Sequence, residues 1–246
     1  MKKIKILCVR FRNELRPFEL EMFRGAVLDK LQETASVLFH NHVGDGFRYS
    51  YPLIQYKCLG GQAAIVCLEE GTEAIGELFS SGDFCFRIGD RMVDMKIDSI
   101  KPRQVLVQLW DTLFTYRLTG WLPFNEENYH AFQSMESLAD RYAFLEQKLT
   151  GNILSFAKGM GIYFEDRVVC KILEAYDPYL IRYKGVRMTA FNIRFKSNLS
   201  LPDGIGLGKG VSLGNANIFS SKRLTFLFLS IIFETNIILS LINHGK

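Results

Sequence analysis

The sequence predicts an α+β fold built in two units. Three observations carry that prediction. The first half reads strand, helix, strands, helix, strand, which suits a ferredoxin-like sandwich. Leu122-Pro123-Phe124-Asn125 then interrupts the pattern as a linker. Beyond it, one long helical stripe is followed by further strands.

Each element has its own signal. Lys3–Phe11 alternates, with Ile4, Ile6, Cys8 and Arg10 on one face and Lys5, Leu7, Val9 and Phe11 on the other. Glu19–Leu38 carries Leu20, Phe23, Val27, Leu31, Ala35 and Leu38 in steps of three and four, which is one helical face. His40–Tyr51 is rich in Gly, Asp and Tyr and reads as a loop. Leu53–Cys58 and Ala63–Leu68 are apolar runs joined by Leu59-Gly60-Gly61-Gln62, a hairpin signal. Glu69–Ser80 reads as a short helix; Cys85–Ile100 and Gln104–Leu113 read as strands. In the second half, Asn128–Gly159 is a long helix with Met135, Leu138, Tyr142, Leu145 and Leu149 on its stripe, before strands at Val168–Leu173 and Val186–Phe195. The domains expected are 1–121, 122–218 and an atypical apolar tail, 219–246.

Composition narrows the class. The chain has 246 residues, 48% of them hydrophobic and 23% charged, so it can bury a core without staples. Its five cysteines include no C-x-x-C pair, and the odd count argues against a disulfide framework. A reducing, cytoplasmic setting is expected. Met1-Lys2-Lys3-Ile4-Lys5 is too soon interrupted by charge for a signal peptide. A net charge of +4 is only mildly basic, so local placement matters more than the total. Arg182, Lys184, Arg187, Arg194 and Lys196 gather among Tyr183, Phe191 and Phe195. That is either the solvated face of a strand pair or a phosphate-facing surface.

Three motifs could carry chemistry. Leu201–Gly214 holds Gly204, Gly206, Gly208 and Gly210 in alternation, then Gly214, with Lys209 among them. Glycines let a ligand approach the main chain, and successive N–H groups form an anion nest. A Walker A loop is excluded, because Asp203 stands where its first glycine belongs and Gly210 where its Ser/Thr belongs. A dinucleotide fingerprint is excluded too, because Lys209 and Val211 fall where its third glycine is required. A backbone cradle and a plain flexible turn remain. Second, His40-Asn41-His42 follows the first helical stripe directly. Two imidazoles so placed can move protons near neutral pH, or simply cap the helix end. They offer two metal ligands at most, and Asp45 is the only local acid, so no metal site is expected. Third, Phe47-Arg48-Tyr49-Ser50-Tyr51-Pro52 sets aromatics beside an arginine, which suits base stacking as well as ordinary packing.

Taken together, these segments resemble a known family. Lys3–Ile6, Phe23–Val27, Leu38–His42, Tyr49–Lys57 and Leu201–Gly214 look like the CRISPR-associated repeat-processing endoribonucleases of the glycine-rich-loop RAMP superfamily, in the group with twin histidines. The resemblance covers roughly positions 1–218. It implies two tandem ferredoxin-like (RRM-like) domains with RNA bound across them. It also implies metal-independent, cofactor-free cutting of CRISPR repeat RNA by the RNA's own 2′-hydroxyl, leaving a 2′,3′-cyclic phosphate and a 5′-hydroxyl. By that match His40 and His42 are the catalytic pair, and Tyr49 or Tyr51 positions the scissile ribose. Gly204, Gly206, Gly208, Lys209 and Gly210 hold the RNA backbone, joined by Arg48, Lys57, Arg194 and Lys196. A non-catalytic RNA-binding subunit of a CRISPR effector complex is the alternative. Effector subunits and a second copy of the chain are the further partners such a protein could have.

After Ile218 the sequence departs from the family. Leu224–Ile242 is a 19-residue apolar run interrupted by Glu234, Thr235 and Asn236. The interior acid disfavours a membrane span. Truncation after Ser220 is expected to preserve RNA cleavage.

Overall fold

The computed structural model describes residues 1–31, 37–40, 42–43, 46–47, 51–214 and 216–221. In chain order the strands are β1 (Lys2–Glu14), β2 (His42–Val43), β3 (Gly46–Phe47), β4 (Ile54–Leu59), β5 (Gln62–Leu68), β6 (Cys85–Ile88), β7 (Arg91–Asp94), β8 (Ile97–Val107), β9 (Leu109–Trp121), β10 (Cys170–Ala175), β11 (Tyr179–Tyr183), β12 (Val186–Leu199) and β13 (Asn217–Ser220). The helices are α1 (Leu20–Leu31), α2 (Val37–His40), α3 (Gly71–Ala74), α4 (Gly76–Ser80), α5 (Glu126–Gln133) and α6 (Leu138–Gly159).

The two main sheets have the same topology. The first runs β4-β5-β1-β8, and the second runs β10-β12-β9-β13 with β11 added against β12. All pairs are antiparallel. In each unit the spatial order is second, third, first, fourth strand, which is the ferredoxin-like arrangement. The duplication has no visible sequence repeat. In the second unit the glycine-rich stretch 201–216 stands where the first unit places α3 and α4. Among its described residues the only helical turn is the 3-10 turn Val211–Leu213.

The boundary between units differs from the one expected at residues 122–125. β9 pairs with β12 and β13, so it belongs to the second sheet. The chain changes sheet at Gln108, where Ser200 Oγ accepts from the Gln108 N–H (3.1 Å) and donates to the Leu106 carbonyl (2.8 Å). Proline marks a break in the chain, but sheet membership is decided by pairing with residues 70 to 104 positions later. The expected long helix is also two. Asn125 caps α5 by accepting from Asn128 N (2.8 Å), and Ser137 caps α6 by accepting from Asp140 N (3.4 Å).

One face of the first sheet packs on α1. Phe23 sits edge-on to Phe11, Tyr56 and Phe86, at 5.8–6.0 Å between ring centroids. The opposite face, with Ile4, Ile6, Val66 and Leu68, shares one core with the second unit. There it meets Leu118, Ile193 and Phe195 of the second sheet, with Leu149, Ile153 and Phe156 of α6. Leu201, Ile205 and Leu207 of the glycine-rich stretch are buried in the same core. At roughly 1.5–3 kcal/mol per buried apolar side chain, this shared core makes the two units one folding entity. Among the described residues no helix is long and apolar enough to cross a membrane. Leu224–Ile242 lies outside them.

Candidate functional site

Strand alternation decides which side chains of β4 meet the second unit. Ile54 and Tyr56 face α1, so Gln55 and Lys57 face the glycine-rich stretch. Tyr51, just before β4, is buried there and donates its hydroxyl to the Gly206 carbonyl at 2.7 Å. Gln55 closes the pattern. Its Nε2 donates to Tyr51 Oη (3.0 Å) and its Oε1 accepts from the Gly206 N–H (3.1 Å). Both main-chain polar groups of Gly206 are thus held by side chains of the first unit. The Tyr51 ring packs edge-on against Phe156, 5.2 Å between centroids. Burial pushes the Tyr51 phenol well above its usual range, although its hydrogen bonds oppose that shift. Tyr51, one of the two tyrosines expected to position a ribose, is therefore a clasp between the units, its hydroxyl already engaged.

The glycine-rich stretch is also different from the expected open cradle. Its N–H groups at Gly204, Leu207 and Lys209 donate to the carbonyls of Ile218, Ala216 and Leu122. Gly204, Gly206 and Gly210 are buried, Gly208 is half-buried, and Lys209 is exposed. The glycines serve close packing. Gly208 has φ +87°, and a Cβ there would lie 3.0 Å from Asn152 Oδ1, the Leu122 carbonyl and Trp121 Nε1. The stretch thus fills the seam between units and presents Lys209 outward.

The histidine segment is tethered at both ends. Phe39 is buried in the first core, and Tyr51 is fixed at Gly206. His40 ends α2, and His42 pairs with Phe47 across the β2–β3 ladder. Three residues lie between Phe47 and Tyr51, so four Cα-to-Cα steps join them. A cross-strand step of about 5 Å plus at most about 14 Å of chain puts the His42 Cα within roughly 20 Å of the Tyr51 Cα. The structure describes only the backbone of His40 and His42. Arg48 and Tyr49 lie outside the described residues.

The predicted cations separate into two kinds. Lys57 is fully buried, and its Nζ has no hydrogen-bond partner among the described residues. Burial lowers it to about 7. It is not on a surface that RNA could reach, because its face of β4 is covered by the Val211–Leu213 turn and Gly214. Arg194 and Lys196 lie instead on the open face of the second sheet, directly opposite Arg117 and Thr115. Arg194 pairs with Glu174 on its other side. Two arginines facing each other across a ladder repel, so this face favours an added anion.

Sequence reasoning missed a cleft of about 480 Å³ between the units, where Arg10, Lys101 and Arg103 meet Asp203 and Gly204. Arg10 donates to the Leu59 carbonyl (2.9 Å), and Arg103 to the Asp203 carbonyl. The usable signal was the alternation of β1, which places Arg10 on the same face as Ile4 and Ile6. Gln55 gave no signal, since its role depends on a glycine 151 residues later.

Comparison with known proteins matches both units in order. The Cas6b N-terminal domain matches residues 2–105, and the Cas6b C-terminal domain matches residues 108–221. The break between the two matches falls at the change of sheet. An uncharacterized protein of Methanocaldococcus jannaschii is 30% identical over 101 residues, which are 41% of this chain and 67% of that protein. A crystal structure of Cas6b superposes with a TM-score of 0.81 at 22% identity, covering 89% of this chain and 100% of the other. A second, described as the CRISPR RNA processing endoribonuclease Cas6b, gives 0.69 at 21% identity, with the same coverage of 89% and 100%. The type IV Cas6 crRNA endonuclease Csf5 gives 0.54 at 11%, again covering 89% and 100%.

Proposed function

This chain belongs to the Cas6b family, and from that premise we propose that it cuts CRISPR repeat RNA within the repeat, releasing guide RNAs. The observation that carries the reading is the order of parts along one chain. A histidine pair lies on a short segment that Tyr51 ties to the glycine-rich stretch, in a protein whose two domains both match the family. Relatives of the same fold include a CRISPR RNA processing endoribonuclease and a crRNA endonuclease.

The chemistry proposed is internal. One histidine takes the proton of the ribose 2′-hydroxyl, and the 2′-oxygen bonds to phosphorus. The P–O5′ bond breaks, and the second histidine gives its proton to the leaving oxygen. The products are a 2′,3′-cyclic phosphate and a 5′-hydroxyl. An imidazolium beside the phosphorane also offsets its growing negative charge. No metal takes part. Lys209 and the Arg117–Arg194–Lys196 face supply the phosphate contacts that hold the RNA.

The test is incubation with the cognate repeat RNA in EDTA. A single cut with the stated ends is expected, with His40→Ala and His42→Ala each slowing it by about 10²- to 10⁴-fold while RNA binding persists. A strict metal requirement would overturn the mechanism. Cleavage that ignores both substitutions would overturn the assignment of the pair. Tight binding of the repeat without any cut would instead favour a non-catalytic RNA-binding subunit.

A further inference from the structure

A second cavity, of about 620 Å³, opens beside Lys209 and is lined by Phe124 and Asn125. Three walls form it. The first is the start of α5, with Tyr129 and His130. The second is the β11–β12 hairpin, with Leu180, Tyr183 and Val186. The third is Lys209, fixed by its own N–H on the Leu122 carbonyl at 3.2 Å.

The hairpin is built to hold its place. Tyr183 pairs with Val186, leaving Lys184 and Gly185 as a two-residue loop. Their φ values are +49° and +80°, the type I′ geometry that matches strand twist. The loop projects Lys184, whose ammonium lies 5.9 Å from the Tyr183 ring centre. Leu180 and Val186 are each 63% exposed, although both line the cavity. Large apolar side chains left open in a concave site indicate a missing occupant.

The lining selects that occupant. Apolar and aromatic surface makes the walls, while Lys184, Arg187 and Lys209 outnumber the acids there, Glu126 in the lining and Glu21 near Tyr183. A flat, uncharged ring carrying phosphates on either side complements that distribution. The volume falls within the range of small-molecule pockets, roughly 300–1,000 Å³, and takes one nucleotide but no duplex. We propose that this cavity receives one unpaired nucleobase of the bound RNA, stacked on Tyr183, with its flanking phosphates on Lys184, Arg187 and Lys209. It is a specificity pocket at a distance from the cut, and it rests on the RNA-processing reading above.

The experiment uses the full chain and cognate repeat RNAs carrying one abasic nucleotide at each position in turn. One abasic position is expected to weaken wild-type binding by roughly 5- to 150-fold, the loss of one base–aromatic stack. Tyr183→Ala should weaken intact RNA by a similar factor, and the two losses should not multiply. Val186→Asn, an uncharged polar change on an exposed position where folding is not at stake, should weaken intact RNA but leave the binding of that abasic RNA unchanged. Losses that multiply, or a wild type that binds the repeat with no sensitive position, would overturn the pocket and leave the RNA reading standing. A wild type that ignores the repeat altogether would overturn both.

Discussion

The hydroxyl of Tyr51 and the carbonyl of Gly206 meet at 2.7 Å across 155 residues of chain. That bond, with Gln55 on the Gly206 N–H, joins the first unit to the centre of the glycine-rich stretch. It makes the stretch part of the seam and anchors one end of the histidine segment.

Tyr51→Phe should therefore cost stability beyond its lost oxygen. It leaves the buried Gly206 carbonyl and one Gln55 N–H without their partner, a loss of about 1–3 kcal/mol. Gly159→Ala attacks the same place sterically, because an added Cβ would lie 2.4 Å from Tyr51 Cβ. It should destabilise by a comparable 1–3 kcal/mol, roughly the cost of overpacking. Urea unfolding of both variants checks this, and the two effects should be less than additive because both act on Tyr51.

The clasp also marks where the sequence could be read and where it could not. The two faces of β1 and the β4–β5 hairpin followed from alternation and from Gly60-Gly61, which are local signals. The α5–α6 break is local too, since Ser137 stands three residues before Asp140 in a capping pattern. The partners of β9, the burial of Lys57 and the clasp itself depend on residues far along the chain. A lysine in a strand reads as surface until something is known to cover it. The glycines read as an anion nest because their conformational freedom is visible in sequence, while the carbonyls that take their N–H groups are not.

Lys57 carries a pH dependence of defined sign. Burial lowers its amine from 10.5 to about 7, so between those values the unfolded chain holds more of this proton than the folded one. The destabilisation is fully present below about pH 7 and is relieved as pH rises toward 10.5. Lys57→Met keeps the length and removes the charge. It should stabilise the protein at pH 7 by an amount on the order of a few kcal/mol, with the advantage vanishing near pH 10.5. Every other ionisable group is common to both proteins, so the difference between the two stability curves isolates Lys57.

The phosphate contacts make a separate prediction, read from salt. Lys209→Ala and Arg194→Ala should each weaken RNA binding and reduce the slope of log K against log salt by about 0.7–1, one released counterion apiece. Lys57→Met should leave the slope unchanged, because a fully buried amine holds no phosphate. Equal slopes for Lys209→Ala and wild type would remove the exposed tip of the glycine-rich stretch from the RNA path.

The end of the described fold defines the last prediction. β13 closes the second sheet with Ser220, but Ser221 still contributes, since its N–H donates to the Thr115 carbonyl at 2.9 Å. The cut expected from sequence, after Ser220, removes that hydrogen bond at the margin of the edge strand. A cut after Ser221 keeps every backbone pair of the two sheets among the described residues. The chain ending at Ser221 should unfold at the same urea concentration as the full chain and cleave repeat RNA at the same rate. The chain ending at Ser220 should lose at most about 1 kcal/mol, the net worth of one hydrogen bond. Loss of folding in the longer of the two would mean that residues 222–246 belong to the core.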